Sequence, residues 1–134
     1  MIVVDTNIIV SLFLPATTSH LAVQLRQKEP SWSVPRLWKS EFSNVLWMYV
    51  RNHHLPLTDA KIAFELASAM LAKNECESDF AEVLELATAS GCTSYDCEFV
   101  ALAKKNSTKL VTLDKKLCTS FPKTAQSLQG FLVE

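Results

Sequence analysis

At 134 residues, with 49% hydrophobic and 20% charged residues, the chain has the length and apolar content of one packed core and too little charge for a disordered one. A formal net charge of −1 excludes a global electrostatic case for nucleic acid or membrane, so a polyanion would have to be held by a local patch or a metal ion. No apolar run approaches the roughly 20 residues of a membrane span, and no basic leader precedes the first apolar run, so a cytoplasmic protein is expected.

From the N-terminus, Met1 to Asp5 reads as a strand and Thr6 to Leu14 as a short apolar helix ending before Pro15. Thr17 to Lys28 has helical spacing at Leu21, Val23 and Leu25, after candidate caps at Thr17, Thr18 and Ser19. Ser31 to Val34 is a β-like run between two prolines, and Arg36 to Asn52 is a long helix. The next helix runs from Thr58 to Ala72, with Ile62, Leu66, Ala69 and Met70 on one stripe. Ser78 to Ala89 predicts a further helix that turns Phe80, Val83, Leu84 and Ala87 inward.

Gly91 to Ser94 is expected as a short strand, followed by a helix from Tyr95 to Lys105. Lys109 to Leu113 is the clearest late strand. A helical turn over Asp114 to Thr119 follows, and the tail from Thr124 to Val133 supplies one edge strand. Strands alternating with helices predict an α/β layered fold around a mostly parallel sheet with right-handed connections. With no repeat or linker, residues 1–134 are expected to form a single domain. Cys76, Cys92, Cys97 and Cys118 show no metal-ligand spacing and are expected to be reduced and mostly buried.

Three aspartates share a setting. Asp5, Asp96 and Asp114 each fall at the end of an expected strand and the start of a helical segment. Parallel strands end on one edge of the sheet, so the three carboxylates should converge there, and like charges at close range call for a cation or a raised pKa. Each could equally be a helix cap, and Thr93-Ser94-Tyr95-Asp96 has the form of a capping box. Glu41 is the fourth acid and lies in line with Leu37 and Val45 on an apolar stripe; a salt bridge to Lys39 or Arg36 is the plainer account of it. Four carboxylates without histidine or cysteine suit Mg²⁺ or Mn²⁺.

Four stretches, Val-Val-Asp-Thr-Asn at 3–7, residues 34–46 around Glu41, residues 94–103 around Asp96 and residues 110–117 around Asp114, resemble the PIN-domain nucleases in order and spacing. The likeness is especially to the VapC-type ribonuclease toxins of toxin–antitoxin pairs. The resemblance implies a three-layer α/β/α sandwich with a sheet of four or five strands. It places Asp5, Glu41, Asp96 and Asp114 at the family's acidic positions, Thr112 at its hydroxyl position and Asn7 at its polar one. It also implies RNA as substrate, a homodimer and a small antitoxin partner.

Metal-assisted hydrolysis of phosphodiesters fits these residues, with Asp5 and Asp96 as direct ligands and Glu41 and Asp114 as ligands directly or through water. Thr6, Asn7 and Thr112 are expected to orient them. Arg36, Lys39, Lys115 and Lys116 lie near the acids in sequence and are candidates to hold flanking phosphates. Trp38, Phe42, Trp47, Met48 and Tyr49 make the long helix apolar almost all round, as core packing or as a partner surface. His53 and His54 are expected to meet that helix's C-terminal dipole, and His20 to lie on the surface. Against a phosphatase or receiver domain stands Asn7, where those chemistries want a second acid, and two glycines cannot build a nucleotide-binding loop. The remaining rival is a PIN-like module that binds without catalysis.

Overall fold

The computed structural model describes residues 1–134. Five strands form one sheet: β1 (Ile2–Val4), β2 (Trp32–Pro35), β3 (Glu75–Cys76), β4 (Leu110–Thr112) and β5 (Ala125–Ser127). Their order is β3-β2-β1-β4-β5, and every neighbouring pair is parallel. The helices are α1 (Thr6–Phe13), α2 (Ser19–Lys28), α3 (Trp38–Asn52), α4 (Leu57–Leu71), α5 (Phe80–Ser90), α6 (Ser94–Lys105), α7 (Lys115–Ser120) and α8 (Leu128–Leu132). No helix is long and apolar enough to cross a membrane.

The pleat of the central strand divides the interior. Ile2 and Val4 point into a core with α1–α4 and α8, while Val3 joins a second core with α5–α7 on the opposite face. In the larger core the rings of Trp38 and Phe42 tilt against each other and both stack on Phe64. From β1 the sheet grows one way through β2 and β3 and the other way through β4 and β5. That makes the gap between the ends of β1 and β4 the topological switch point, where open α/β sheets hold ligands.

Four expectations change. Gly91 to Ser94 is not a strand: Gly91 closes α5 in the left-handed region (φ 76°), and Thr93 already caps α6, leaving no length to pair. The polar pair Glu75–Cys76 is the edge strand instead, in register with Val34 and Pro35. The tail contributes β5 and then turns into α8, capped by Ser127.

The fourth change concerns helix faces. On α4 the buried residues are Ala60, Ala63, Ala67 and Leu71, whereas Ile62 and Leu66 are 49% and 57% exposed. Alanines let α4 approach the large rings of α3, and that close fit decides the inward face. On α5, Val83 is buried but Phe80 and Leu84 face out. All four cysteines are free thiols, with Cys92 and Cys97 buried and Cys76 and Cys118 half-buried.

Candidate active site

β1 and β4 run side by side with Val4 opposite Val111, so the next step along each strand sets Asp5 beside Thr112. Thr112 is fully buried, and its hydroxyl accepts the Asp114 N–H at 3.0 Å while donating to Asp5 Oδ2. With its lone pair engaged by Asp114, the hydroxyl proton is directed at Asp5. One side chain therefore ties together two acids 109 positions apart in the chain.

Asp5 and Asp114 are also helix caps. Asp5 Oδ1 accepts from Ile8 N at 3.3 Å at the head of α1, and Asp114 Oδ1 accepts from Lys116 N at 2.8 Å at the head of α7. Asp96 occupies the first turn of α6, where its N–H donates to the capping hydroxyl of Thr93 at 3.1 Å. Capping and clustering are thus compatible, since caps use one carboxylate oxygen, or only the main chain, and leave the rest of the group directed elsewhere.

Glu41 projects from α3 into the same cleft. Its Oε1 accepts from Thr6 Oγ1 at 2.7 Å. The salt bridge to Lys39 or Arg36 is not made, because Lys39 pairs with Glu75 (3.4 Å) and Arg36 with Glu77 (2.9 Å). Thr6 therefore steadies Glu41 rather than Asp5. Asn7 lines the cleft, and the Asp5 carboxylate is held by Thr112 and Ile8.

Asp5, Thr6, Asn7, Glu41, Asp96 and Asp114 surround a cavity of about 210 Å³, completed by Asn44, Val45 and Phe99. Asn44 drew no attention in the sequence, although its place three residues beyond Glu41 puts it on the same face of α3. None of the basic candidates lines the cavity; Lys116 donates to Gly91 O at 3.3 Å, and its charge opposes the rise in Asp96. Lys115 begins α7 in the open, and Arg36 and Lys39 are engaged as described. At the end of α3, the Tyr49 ring packs 5.1 Å from that of His53, whose N–H caps the helix at Tyr49 O.

Electrostatics marks the cleft as short of positive charge. Asp5 is only 7% exposed, and burial, reinforced by the charges of Asp96 and Asp114, pushes its pKa up to about 7 against the pull of Thr112 and Ile8. Burial likewise raises Glu41, helped by Asp96 and Glu98, and raises Asp96, helped by Asp114. A divalent cation would offset that rise in all three by favouring their charged forms.

No three of these carboxylates, with or without His or Cys, close around one point as a finished ion cage. Mg²⁺ typically keeps several waters and takes one or two carboxylates plus phosphate oxygens, so an open, all-oxygen set fits that ion class.

The PIN domain model matches residues 2–122. Ribonuclease VapC3 of Pyrobaculum aerophilum is 33% identical over 125 residues, which span 90% of this chain and 95% of that protein. Among solved structures, PAE2754 from Pyrobaculum aerophilum superposes with a TM-score of 0.78 at 23% identity, covering 98% of this chain and 92% of that one. FitAcB from Neisseria gonorrhoeae reaches 0.72 at 16% identity, over 96% and 99% of the two chains. FitAB bound to an IR36 DNA fragment reaches 0.70 at 16% identity, over 96% and 95%. These last three likenesses are of fold.

Proposed function

The chain belongs to the PIN-domain family, and from that premise we propose that it is a VapC-type endoribonuclease, the toxin of a toxin–antitoxin pair, acting in the cytoplasm. The observation that carries this reading is the meeting of Asp5, Glu41, Asp96 and Asp114 around one cavity at the switch point of the sheet. In the reaction, water adds to phosphorus as a P–O bond breaks, leaving one phosphate end and one hydroxyl end. Bound Mg²⁺ or Mn²⁺ supplies Lewis-acid charge for the scissile phosphate and the attacking water.

The chain's own residues prepare that encounter. Asp5 and Asp96 would hold the ion, and Glu41 and Asp114 would hold it directly or through water. Thr112 fixes the rotamer of Asp5, and Thr6 fixes that of Glu41. Asn7 and Asn44 offer neutral polar groups at the mouth. Lys115 and Lys116 sit where flanking phosphates would pass, and Arg36 and Lys39 can exchange exposed or half-exposed ion pairs for phosphates at little cost.

Two apolar surfaces support the partner part of this reading. A groove of about 360 Å³ between α3 and α4, lined by Leu46, Trp47, Val50, Leu57 and Phe64, has the apolar character that accepts an amphipathic antitoxin helix. The outward stripe of Ile62, Leu66 and Ala69 suits a second copy in a homodimer.

Purified protein should cleave single-stranded RNA with Mg²⁺ or Mn²⁺, and Asp5→Asn and Asp96→Asn should lose cleavage while keeping the circular dichroism spectrum. Undiminished cleavage in EDTA would contradict the metal requirement. RNA binding without cleavage by the wild type would favour the silent binding module. Induced expression should arrest growth in the wild type and spare it in Asp5→Asn.

A further inference from the structure

Beside the acidic cleft lies a second groove of about 340 Å³, bounded by Arg36, Leu37 and Ser40 of the α3 entry and by Glu77, Ser78, Phe80 and Glu98. Glu98 is not one of the four acids. It is only 9% exposed, although carboxylates are seldom buried without a cationic partner. Its Oε1 accepts from Ser78 Oγ at 2.5 Å, while Oε2 takes no hydrogen bond from the chain. Phe80, at the first turn of α5, is 61% exposed at the rim of this polar groove.

Resting on the ribonuclease reading, we propose that this groove is a nucleobase subsite, in which Phe80 stacks on a guanine adjoining the scissile phosphate and Glu98 reads its edge. Unpaired bases are commonly recognised by stacking on aromatic rings and by hydrogen bonds to their Watson–Crick edges. A carboxylate with Ser78 already donating to it presents only acceptors to a ligand. Guanine alone offers two adjacent donors there, N1–H and the N2 amino group. Adenine and cytosine pair one donor with a ring nitrogen that would face a carboxylate oxygen, and uracil flanks one donor with two carbonyls.

Position agrees with this role. Leu37 and Ser40 in the groove lie one turn before Glu41 and Asn44 in the cleft. A turn of helix advances about 5.4 Å, on the scale of one nucleotide step. Glu98 in the groove directly precedes Phe99 in the cleft, so the two sites are neighbours along α6. Arg36, in an exposed pair with Glu77, stands at the rim to take the phosphate on the far side of the base.

Fluorescence anisotropy on the Asp5→Asn protein separates base reading from cleavage. A labelled uridine heptamer carrying one central guanosine should bind about tenfold more tightly than the all-uridine heptamer, in line with one bidentate base contact. Adding Glu98→Gln should abolish that difference, and adding Phe80→Ala, at an exposed position, should weaken both complexes. Equal affinity for the two heptamers, a guanosine preference that survives Glu98→Gln, or no binding of either would overturn the subsite. In parallel, sequencing the ends of RNA cut by the wild type should find guanine at a fixed place beside the cut. Cleavage without that bias overturns the subsite and leaves the nuclease standing. Absence of all cleavage overturns the nuclease, and the anisotropy still decides the groove.

Discussion

The acidic cleft has two walls built in different ways. On one, adjacent parallel strands β1 and β4 deliver Asp5 and Asp114 to a common edge, with buried Thr112 bonded to both. On the other, Glu41 and Asp96 project from α3 and α6, are half-buried, and are steadied by Thr6 and by the α6 cap. On the strand wall Asp5 is removed from water almost completely and rises to about 7, while Asp114 stays half-buried. The helix wall leaves its acids in contact with solvent, and they are raised from the same main cause. A site proposed to hold a cation can thus divide the task. One wall sets depth and register, and the other keeps the site open to a substrate.

Replacing one acid on each wall tests the comparison most severely. Asp5→Asn should lower kcat/KM for RNA on the order of 10³-fold or more, since a group acting as part of a catalytic unit is not lost by degrees. Its metal-free form at pH 7.5 should melt higher than the wild type, because an amide removes the burial cost of the charge while keeping the shape. Asp96→Asn should also lose activity but gain little stability, being half-buried already. Equal stabilisation by the two changes would erase the distinction between the walls.

The pH dependence follows from the same contrast. Asp5 rises from 3.8 to about 7 on folding, so the folded protein holds a proton that the unfolded chain has released. Its contribution to stability is full below about pH 4 and is lost as pH rises through about 7, at about 1.4 kcal/mol per tenfold difference in proton affinity. Metal-free wild type should therefore lose a few kcal/mol relative to Asp5→Asn between pH 4 and 8, read as chemical-denaturation midpoints.

Thr112→Val removes the link within the strand wall. It should cost about 1–3 kcal/mol by leaving the part-buried Asp114 N–H unpaired, and about 10–100-fold in metal affinity or activity. Thr112→Ser should restore most of both. The smallest effect belongs to the helix wall: Thr93→Ala deletes the α6 cap and should cost about 1 kcal/mol, with a modest effect on activity through Asp96.

The strand wall was the more legible in the sequence. Ile2–Val4 and Leu110–Thr112 are apolar or β-branched and lead toward an acid, so a short continuous apolar run and a polar stop locate both strand ends. Glu41 stood out as a carboxylate on an apolar stripe. Asp96 was drawn to the cleft for a mistaken reason, since no strand precedes it and α6 alone places it. The two-residue β3 left no pattern because its pairing is made by the main chain. The outward turn of Ile62, Leu66, Phe80 and Leu84 was also hidden, because periodicity marks a stripe without saying which stripe fits the neighbouring helix. Glu98 and Ser78 were invisible for a related reason: 20 positions apart, they meet only through the packing of α6 against the start of α5.

The central claim is that the four acids form one site completed by a divalent cation. Calorimetric titration of Mn²⁺ into the protein at pH 6.5, in two buffers of different ionisation enthalpy, tests it directly. The account predicts saturable binding that releases protons, because Asp5 must give up its own to take the ion. Asp5→Asn should weaken the binding strongly and remove most of the proton release. Binding of unchanged strength and proton count in Asp5→Asn, or no binding by the wild type, would contradict it.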